Sequence, residues 1–169
     1  MPHDLHSPLW DSRDDTRYFP DLTLRHRRQQ STDCVANALS ILTGVEPASI
    51  ALDINTQSPI SWSDYLMGCG MQLAYCNTDF RRLDHYVDEL LDQDDLFLLC
   101  TYGSLDPMQI GREPDESGWI TGSHVAVLHL DIVYDSMLNG PCPLIDYPRN
   151  NRYVKRLFRV VPAGFARSL

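Results

Sequence analysis

The clearest periodic pattern of apolar positions lies between residues 35 and 43. Apolar side chains recur there at the three- and four-residue spacing of one helix face, at Val35, Ala38, Leu39, Ile41 and Leu42. Three consecutive residues that favour helix N-caps come just before them: Ser31, Thr32 and Asp33. Gly44, a residue type that commonly ends helices, follows. We therefore predict a helix that begins close to Cys34 and ends at Gly44.

The remaining apolar patterns predict shorter elements. The predicted helices cover residues 47–53, 62–67 and 79–91, the predicted strands cover 70–75, 96–102 and 153–161, and a β-hairpin covers 124–136. Helical patterns come first, and strand patterns dominate the second half of the chain. We therefore predict an α+β fold in which helices pack against an antiparallel sheet.

Composition divides the 169 residues into two unequal parts. Residues 1–24 are rich in Pro, Asp and Ser with isolated aromatic residues, which predicts an N-terminal arm that lies over the domain or is partly irregular. Residues 25–169 show no further shift in composition and predict a single domain. A chain of this length buries roughly 70% of its unfolded surface, enough for a core and a cleft.

Charge and cysteine content narrow the classes of function. The chain has 14 Lys and Arg against 23 Asp and Glu, a formal net charge of −9, which argues against nucleic-acid and anionic-membrane partners and predicts a mild preference for basic peptide segments. Five cysteines at irregular spacings match no disulfide or zinc pattern and predict reduced thiols. With no signal-peptide pattern and no apolar stretch of membrane-spanning length, we expect a cytoplasmic protein.

Cys34 is the strongest candidate for chemistry. At the first turn of a helix, unpaired N–H groups and the positive end of the helix dipole stabilise a thiolate relative to the thiol. Gln29 and Gln30 lie just upstream. A glutamine amide and the Cys34 backbone N–H are suitable donors for the oxyanion of a tetrahedral intermediate. A buried core cysteine is the alternative, since free cysteines are commonly buried.

The predicted hairpin supplies a base and a carboxylate to orient it. If its turn is the pair His129-Leu130, His124 lies directly opposite Asp135 on the same face, with Cβ atoms about 4.5–5.5 Å apart. The carboxylate then hydrogen-bonds the imidazole and fixes its tautomer. A turn at Leu130-Asp131 pairs His124 with Met137 instead, so the inference depends on the register.

These residues together resemble the papain-like cysteine peptidase superfamily. The resemblance is closest to the double-glycine peptidases that process bacteriocin leaders and to their stand-alone relatives. It rests on an upstream glutamine, on Asp33-Cys34 with the small residues of the helix that follows, on Ser123-His124-Val125-Ala126-Val127 and on Val133-Tyr134-Asp135.

The resemblance implies a papain-like fold, with an N-terminal helical part that carries the nucleophile packed on a C-terminal antiparallel sheet. It implies a triad of Cys34, His124 and Asp135 that cleaves a peptide or isopeptide bond through an acyl-enzyme. Gln30 or Gln29 completes the oxyanion hole, the substrate is a peptide or protein, and no cofactor is needed. Other members deamidate glutamine or transfer acyl groups, and a catalytically inactive peptide-binding module of the same fold is a further alternative. The oligomeric state stays open.

Three features depart from the usual pattern of that family. Val35 stands where the family has glycine. The glutamines lie four and five residues before the cysteine, whereas the usual position, six residues before it, holds Arg28. The interval from histidine to aspartate is short, so Asp146 is a second candidate for the orienting carboxylate.

Other candidate residues have plainer interpretations beside the functional one. Trp119, five residues before His124, is a candidate substrate-binding residue, although large aromatic residues more often belong to the core. His129 is expected to face solvent next to the hairpin turn. A zinc site from His124, His129 and Asp131 lacks a familiar ligand spacing, so no metal is predicted. A solvated helix end is predicted for three acidic residues, Asp92, Asp94 and Asp95.

Overall fold

Helices precede the sheet along the chain, as the apolar patterns predict. The computed structural model describes residues 8–10, 16–28, 33–103, 123–166 and 169. Their elements are α1 Cys34–Thr43, α2 Pro47–Asp53, α3 Pro59–Met67, β1 Met71–Tyr75, α4 Val87–Gln93, β2 Leu96–Tyr102, β3 Ser123–His129, β4 Ile132–Tyr134, β5 Cys142–Pro143 and β6 Val154–Pro162. A 3₁₀ turn at Leu83–Tyr86 precedes α4, and another at Leu144–Asp146 follows β5. The predicted α+β class is confirmed.

Helix α1 begins and ends where its flanking residues predict. Asp33 is the N-cap, and its carboxylate accepts a hydrogen bond of 2.9 Å from the Ala36 N–H. Gly44 closes the helix in the left-handed conformation, at φ 76°, with its N–H donating to the Ser40 carbonyl at 2.8 Å. Cys34 is therefore the first residue of α1.

The six strands of the described residues form one antiparallel sheet in the order β1-β6-β2-β3-β4-β5. Strands β2 and β3 pair along their whole length, from Leu96 opposite His129 to Tyr102 opposite Ser123. Because side chains alternate along a strand, both faces of the sheet need a cover. Helices α1, α2 and α3 and apolar residues between positions 19 and 24 cover one face, while α4, the 3₁₀ turns and the described residues from Leu9 to Tyr18 contribute to the cover of the other.

Part of the predicted N-terminal arm belongs to this second face. Leu9 and Trp10 are buried in the same apolar cluster as Leu90 of α4. The Leu9 N–H donates to the Glu89 carboxylate at 2.8 Å. The described parts of the arm therefore lie over the sheet, whereas the division of the chain into an arm and one domain stays a prediction.

A buried ion pair fastens the arm to the sheet. Asp95 and Arg159 are 0% and 1% exposed, and a guanidinium nitrogen of Arg159 lies 2.7 Å from the Asp95 carboxylate. That carboxylate also accepts hydrogen bonds from the N–H groups of Tyr18 and Phe19, at 2.8 and 2.9 Å. The guanidinium lies over the rings of Tyr18 and Trp10. The predicted solvated helix end is therefore wrong for Asp95, because its partner is distant in sequence.

The helix predicted over 79–91 begins later than its pattern indicates. The chain enters a 3₁₀ turn at Leu83 and an α-helix at Val87. Phe80, counted as an apolar helix position, instead stacks on Tyr153 with 4.6 Å between the ring centroids. Phe80 therefore lies outside the helix and packs on a residue far along the chain.

No single helix in the described ranges is long and apolar enough to cross a membrane. Helices α1 and α2 meet that standard only as a pair bent by 114°. Most of the α1 side chains are buried against the sheet. The cytoplasmic location stays a prediction.

Replacing Arg159 with Met is expected to lower the free energy of unfolding by about 3–5 kcal/mol, because it leaves the Asp95 carboxylate buried and uncompensated. Urea unfolding measures the change. The matched control is Arg17→Met, which breaks the neighbouring exposed pair of Arg17 with Asp94 and should cost about 0–1 kcal/mol. Similar small losses in both variants would contradict a structural role for the buried pair.

Candidate active site

The Cys34 thiol lies at the N-terminal end of α1, against the start of β3. It donates a hydrogen bond to the carbonyl oxygen of Ser123, at 3.7 Å from Sγ. The side chain is partly exposed, whereas Cys76 and Cys100 are buried and burial raises the pKa of Cys100 to about 12. The alternative of a buried core cysteine therefore does not hold for Cys34.

His124 lies between this thiol and Asp135. Its Nε2 is 2.7 Å from the Asp135 Oδ1, and both side chains are almost fully buried. The Cys34 side chain is also close enough to the ring for a hydrogen-bond interaction that raises the pKa of His124. Because Nε2 is bound to the carboxylate, the ring nitrogen that serves the thiol is Nδ1. The structure thus brings together the three residues that the sequence analysis proposed as a triad.

The strands of the hairpin pair in a different register from the predicted one. The turn consists of Leu130 and Asp131, since His129 pairs with Ile132. Leu130 adopts a positive φ of 59° at the turn. The prediction of a turn at residues 129–130 is therefore wrong by one residue, although the hairpin itself is present.

Asp135 reaches His124 in spite of this shift. Moving the turn by one residue changes every cross-strand partner by two, and residues two apart along a strand share a face. Asp135 therefore stays on the same side of the sheet as His124. The ladder ends at Tyr134, and the following turn is closed by a hydrogen bond from the Leu138 N–H to the Asp135 carbonyl. The carboxylate turns towards the ring from this point.

Asp135 is held by two further donors. The Met137 N–H donates to Oδ1 at 2.8 Å, and the Tyr147 hydroxyl donates to Oδ2 at 2.5 Å. Burial raises the pKa of Asp135, but the bonds and charge of His124 and the bonds from Tyr147 and Met137 lower it to a net value below the ordinary one. Asp146, the second candidate for the orienting carboxylate, is exposed, and the ring is bonded to Asp135 instead.

The environment of His124 favours the imidazolium. Burial lowers its pKa, whereas the hydrogen bonds with Asp135 and Cys34 and the Asp135 charge raise it, to a net value of about 9. The positive charge of Arg149 lowers it again in part. A protonated ring beside the thiol is the arrangement that stabilises a thiolate. The site therefore favours a protonated imidazole beside the Cys34 sulfur.

Two residues of the site were missed by the sequence analysis. Tyr147 directly follows the acidic residue that was singled out, but a tyrosine in that context carries no sequence signal for a carboxylate partner. Arg149 donates from Nε to the Thr101 hydroxyl and from Nη2 to the Tyr102 carbonyl, both at 3.1 Å. Since Thr101 pairs with His124 across the sheet, the guanidinium lies beside the imidazole.

Three predicted site residues lie outside the described residues. They are the oxyanion candidates Gln29 and Gln30 and the substrate-binding candidate Trp119. Among the described residues, no acceptor is bonded to the backbone N–H of Cys34, which is the other predicted oxyanion donor. The glutamine and tryptophan assignments stay predictions.

The histidines offer no clustered metal ligands within the described residues. No group of three His, Cys, Asp or Glu side chains in the described residues could hold an ion. His129, expected to face solvent, is buried, and its Nε2 lies 2.8 Å from the Phe19 carbonyl oxygen. That expectation is wrong because residues of the N-terminal segment cover the hairpin end.

The scan against protein-family models finds no matching family, and the search of curated proteins finds no match. The function therefore has to be inferred from the arrangement of the side chains alone.

The stability of the protein is expected to fall between about pH 6.5 and about pH 9 because of His124. Its pKa of about 9 in the folded state exceeds the ordinary 6.5, so the folded chain holds a proton that the unfolded chain releases in this range. The stabilisation is complete below the lower value and is lost as the pH rises through the upper one. Urea unfolding across this range should show this fall in the free energy of unfolding in the wild type and in His85→Ala, the control at an exposed histidine. Asp135→Asn should show a weaker dependence on pH. An unchanged slope in Asp135→Asn would contradict the assignment.

Tyr147→Phe is expected to lower the free energy of unfolding at neutral pH by about 1.5–3 kcal/mol, the range for a hydrogen bond to a charged group. Asp135 has a depressed pKa, so this stabilisation exists above its ordinary value and disappears as the pH falls. The difference between wild type and variant should therefore shrink in acid. Tyr134→Phe is the matched control and should change stability by less than about 0.5 kcal/mol. Equal effects of the two variants would argue against a hydroxyl–carboxylate bond.

Proposed function

We propose that this protein is a cysteine-thiol hydrolase that cleaves a peptide or isopeptide bond with Cys34, His124 and Asp135. The observation that carries the proposal is the continuous chain of contacts from the thiol through the imidazole to a buried carboxylate. A nucleophile, a base and a group that orients the base, each within hydrogen-bond reach of the next, is the arrangement that activates a thiol.

Each step of the proposed reaction has a group to perform it. The Nδ1 of His124 takes the Cys34 proton, and the thiolate attacks the amide carbonyl carbon. The oxyanion that forms is bound by the Cys34 backbone N–H and by the side chain of Gln29 or Gln30. The imidazolium then donates its proton to the leaving amine as the C–N bond breaks, which leaves a thioester. Water, deprotonated by His124, hydrolyses the thioester and regenerates the thiol.

The proposal includes a papain-like fold. It is supported by a nucleophile on the first residue of a helix that packs on an antiparallel sheet, and by a base on the strand facing that helix end. Val35, which replaces the glycine of that family, is 6% exposed and belongs to the core between the helices and the sheet. Cys34 itself remains partly exposed beside it.

Labelling with iodoacetamide tests the proposal without a known substrate. At about neutral pH, His124→Ala should lower the rate of Cys34 alkylation by at least about tenfold, because the thiolate loses its counter-charge. His85→Ala, at an exposed histidine, should leave the rate unchanged. Peptide mass spectrometry assigns the label to each of the five cysteines.

The contrary result is a Cys34 rate that does not respond to His124→Ala and matches that of the exposed Cys69. Such a thiol is not activated, and the chain would then be a binding module of this architecture. Intact mass spectrometry of peptides incubated with the active protein separates the remaining alternatives. Hydrolysis yields two fragments, whereas glutamine deamidation converts an amide into a carboxylate in one uncut product.

A further inference from the structure

Among the described residues, a group of cations lies near the thiol in a chain that is acidic as a whole. The chain has a net charge of −9, but no Asp or Glu occurs after Asp146. Four cationic residues fall within eight positions of that last segment: Arg149, Arg152, Lys155 and Arg156. Arg149 and Arg152 precede β6 and bind the end of β2, whereas Lys155 and Arg156 lie within β6.

Two of these cations are tied to the end of β2. Arg149 binds the Thr101 hydroxyl and the Tyr102 carbonyl, which leaves its Nη1 without a partner among the described residues. Arg152 donates from Nη1 to the Gly103 carbonyl at 2.7 Å. Its Nε is buried and has no partner among the described residues. Neutral acceptors fix these guanidinium groups in place, and the hydrogen bonds that hold them involve no carboxylate of the described residues.

The other two cations lie closer to the helix that carries the thiol. Arg156 pairs with Cys100 across the sheet, and directly opposed residues share a face. Cys100 belongs to the core beneath α1, so Arg156 lies on the side of the sheet that carries Cys34. The Lys155 Nζ is 5.9 Å from the ring centroid of Tyr102, the residue that pairs with Ser123.

The charges of this group interact with one another and with the thiol. Burial and the charge of Arg156 lower the pKa of Lys155, and the charges of Cys100 and Cys34 raise it. None of the four cations forms an ion pair with a carboxylate of the described residues. Two described acids of the site have other partners, Asp33 the Ala36 N–H and Asp135 the imidazole. Like charges held together in this way are stabilised when an anion binds between them.

We propose that the surface beside Cys34 contains a subsite for a carboxylate of an acidic peptide substrate, formed by Lys155 and Arg156. This inference rests on the proposed hydrolase function and names its substrate class. Guanidinium and ammonium groups are the residue types that bind carboxylates. The net charge of the chain predicts the opposite preference, for basic segments. That charge is spread over the surface and is screened beyond about 8–10 Å, whereas these cations act at the thiol itself.

Two alkylating reagents of similar size and different charge measure the electrostatic potential at the thiol. Iodoacetate is anionic and iodoacetamide is neutral, so the ratio of their rates reports local charge. In the full-length protein at low salt, this ratio should be about three- to fivefold higher at Cys34 than at the exposed Cys69, as expected for two unit charges roughly 8 Å away in water. Cys142, whose pKa is raised by burial and by the charge of Asp146, should show the lowest ratio.

A double variant assigns the effect to the named cations. Lys155→Gln with Arg156→Gln should bring the Cys34 ratio down to that of Cys69. Arg17→Gln removes a positive charge near the opposite end of β2 and should leave the ratio unchanged. A Cys34 ratio equal to that of Cys69 in the wild type, or one that the double variant does not change, would overturn the proposed subsite.

The substrate class is tested with tripeptide chloromethyl ketones that carry Glu, Gln or Lys next to the reactive group. The Glu reagent should inactivate the protein fastest and the Lys reagent slowest, and the double variant should remove the difference. Preference for the Lys reagent would reject an acidic substrate and support the prediction from net charge. These outcomes test the subsite separately from the triad. If the proposed function is wrong, the rate of inactivation by every reagent will be the same in His124→Ala as in the wild type.

Discussion

The hydrogen bond between His124 and Asp135 is the interaction on which the proposed chemistry depends. At 2.7 Å from Nε2 to a carboxylate that is 1% exposed, it fixes the plane and the protonation of the imidazole. Nδ1 is then left for the thiol of Cys34. The buried carboxylate is stabilised in turn by the Met137 N–H and the Tyr147 hydroxyl. Without these donors the desolvation of the buried carboxylate would be uncompensated, and the ring would lose the group that orients it.

Three distant segments of the chain meet at this point, and a rigid sheet determines how they meet. Strand β3 begins with the histidine, α1 begins with the thiol, and the turn after β4 supplies the carboxylate. At the opposite end of β2, the pair of Asp95 and Arg159 fastens the N-terminal segment to the sheet. The buried pair of Asp95 and Arg159 therefore lies at one end of β2, and the group of Cys34, His124 and Asp135 lies at the other.

Much of the fold was predictable because its signals are local. The cap at Asp33 and the stop at Gly44 define α1, and apolar runs define the central strands. The contact between His124 and Asp135 was also predictable, although the hairpin turn lies one residue later than expected. A shift of one residue in the turn moves each cross-strand partner by two, which keeps both side chains on one face of the sheet. Tyr147, Arg149 and the partner of Asp95 were not predictable, since each acts through a contact between segments far apart in sequence. The same reason explains why Phe80 leaves the predicted helix to stack on Tyr153.

Titration of the His124 ring by NMR, in the wild type and in Cys34→Ser, tests the central claim most directly. The account predicts that the wild-type ring titrates with a pKa of about 9 and that the serine variant, which cannot form the thiolate, titrates at a clearly lower pH. A wild-type ring that titrates near the ordinary 6.5 and does not respond to the loss of the sulfur would show that the imidazole and the thiol are uncoupled. The proposed nucleophile would then have no activating base.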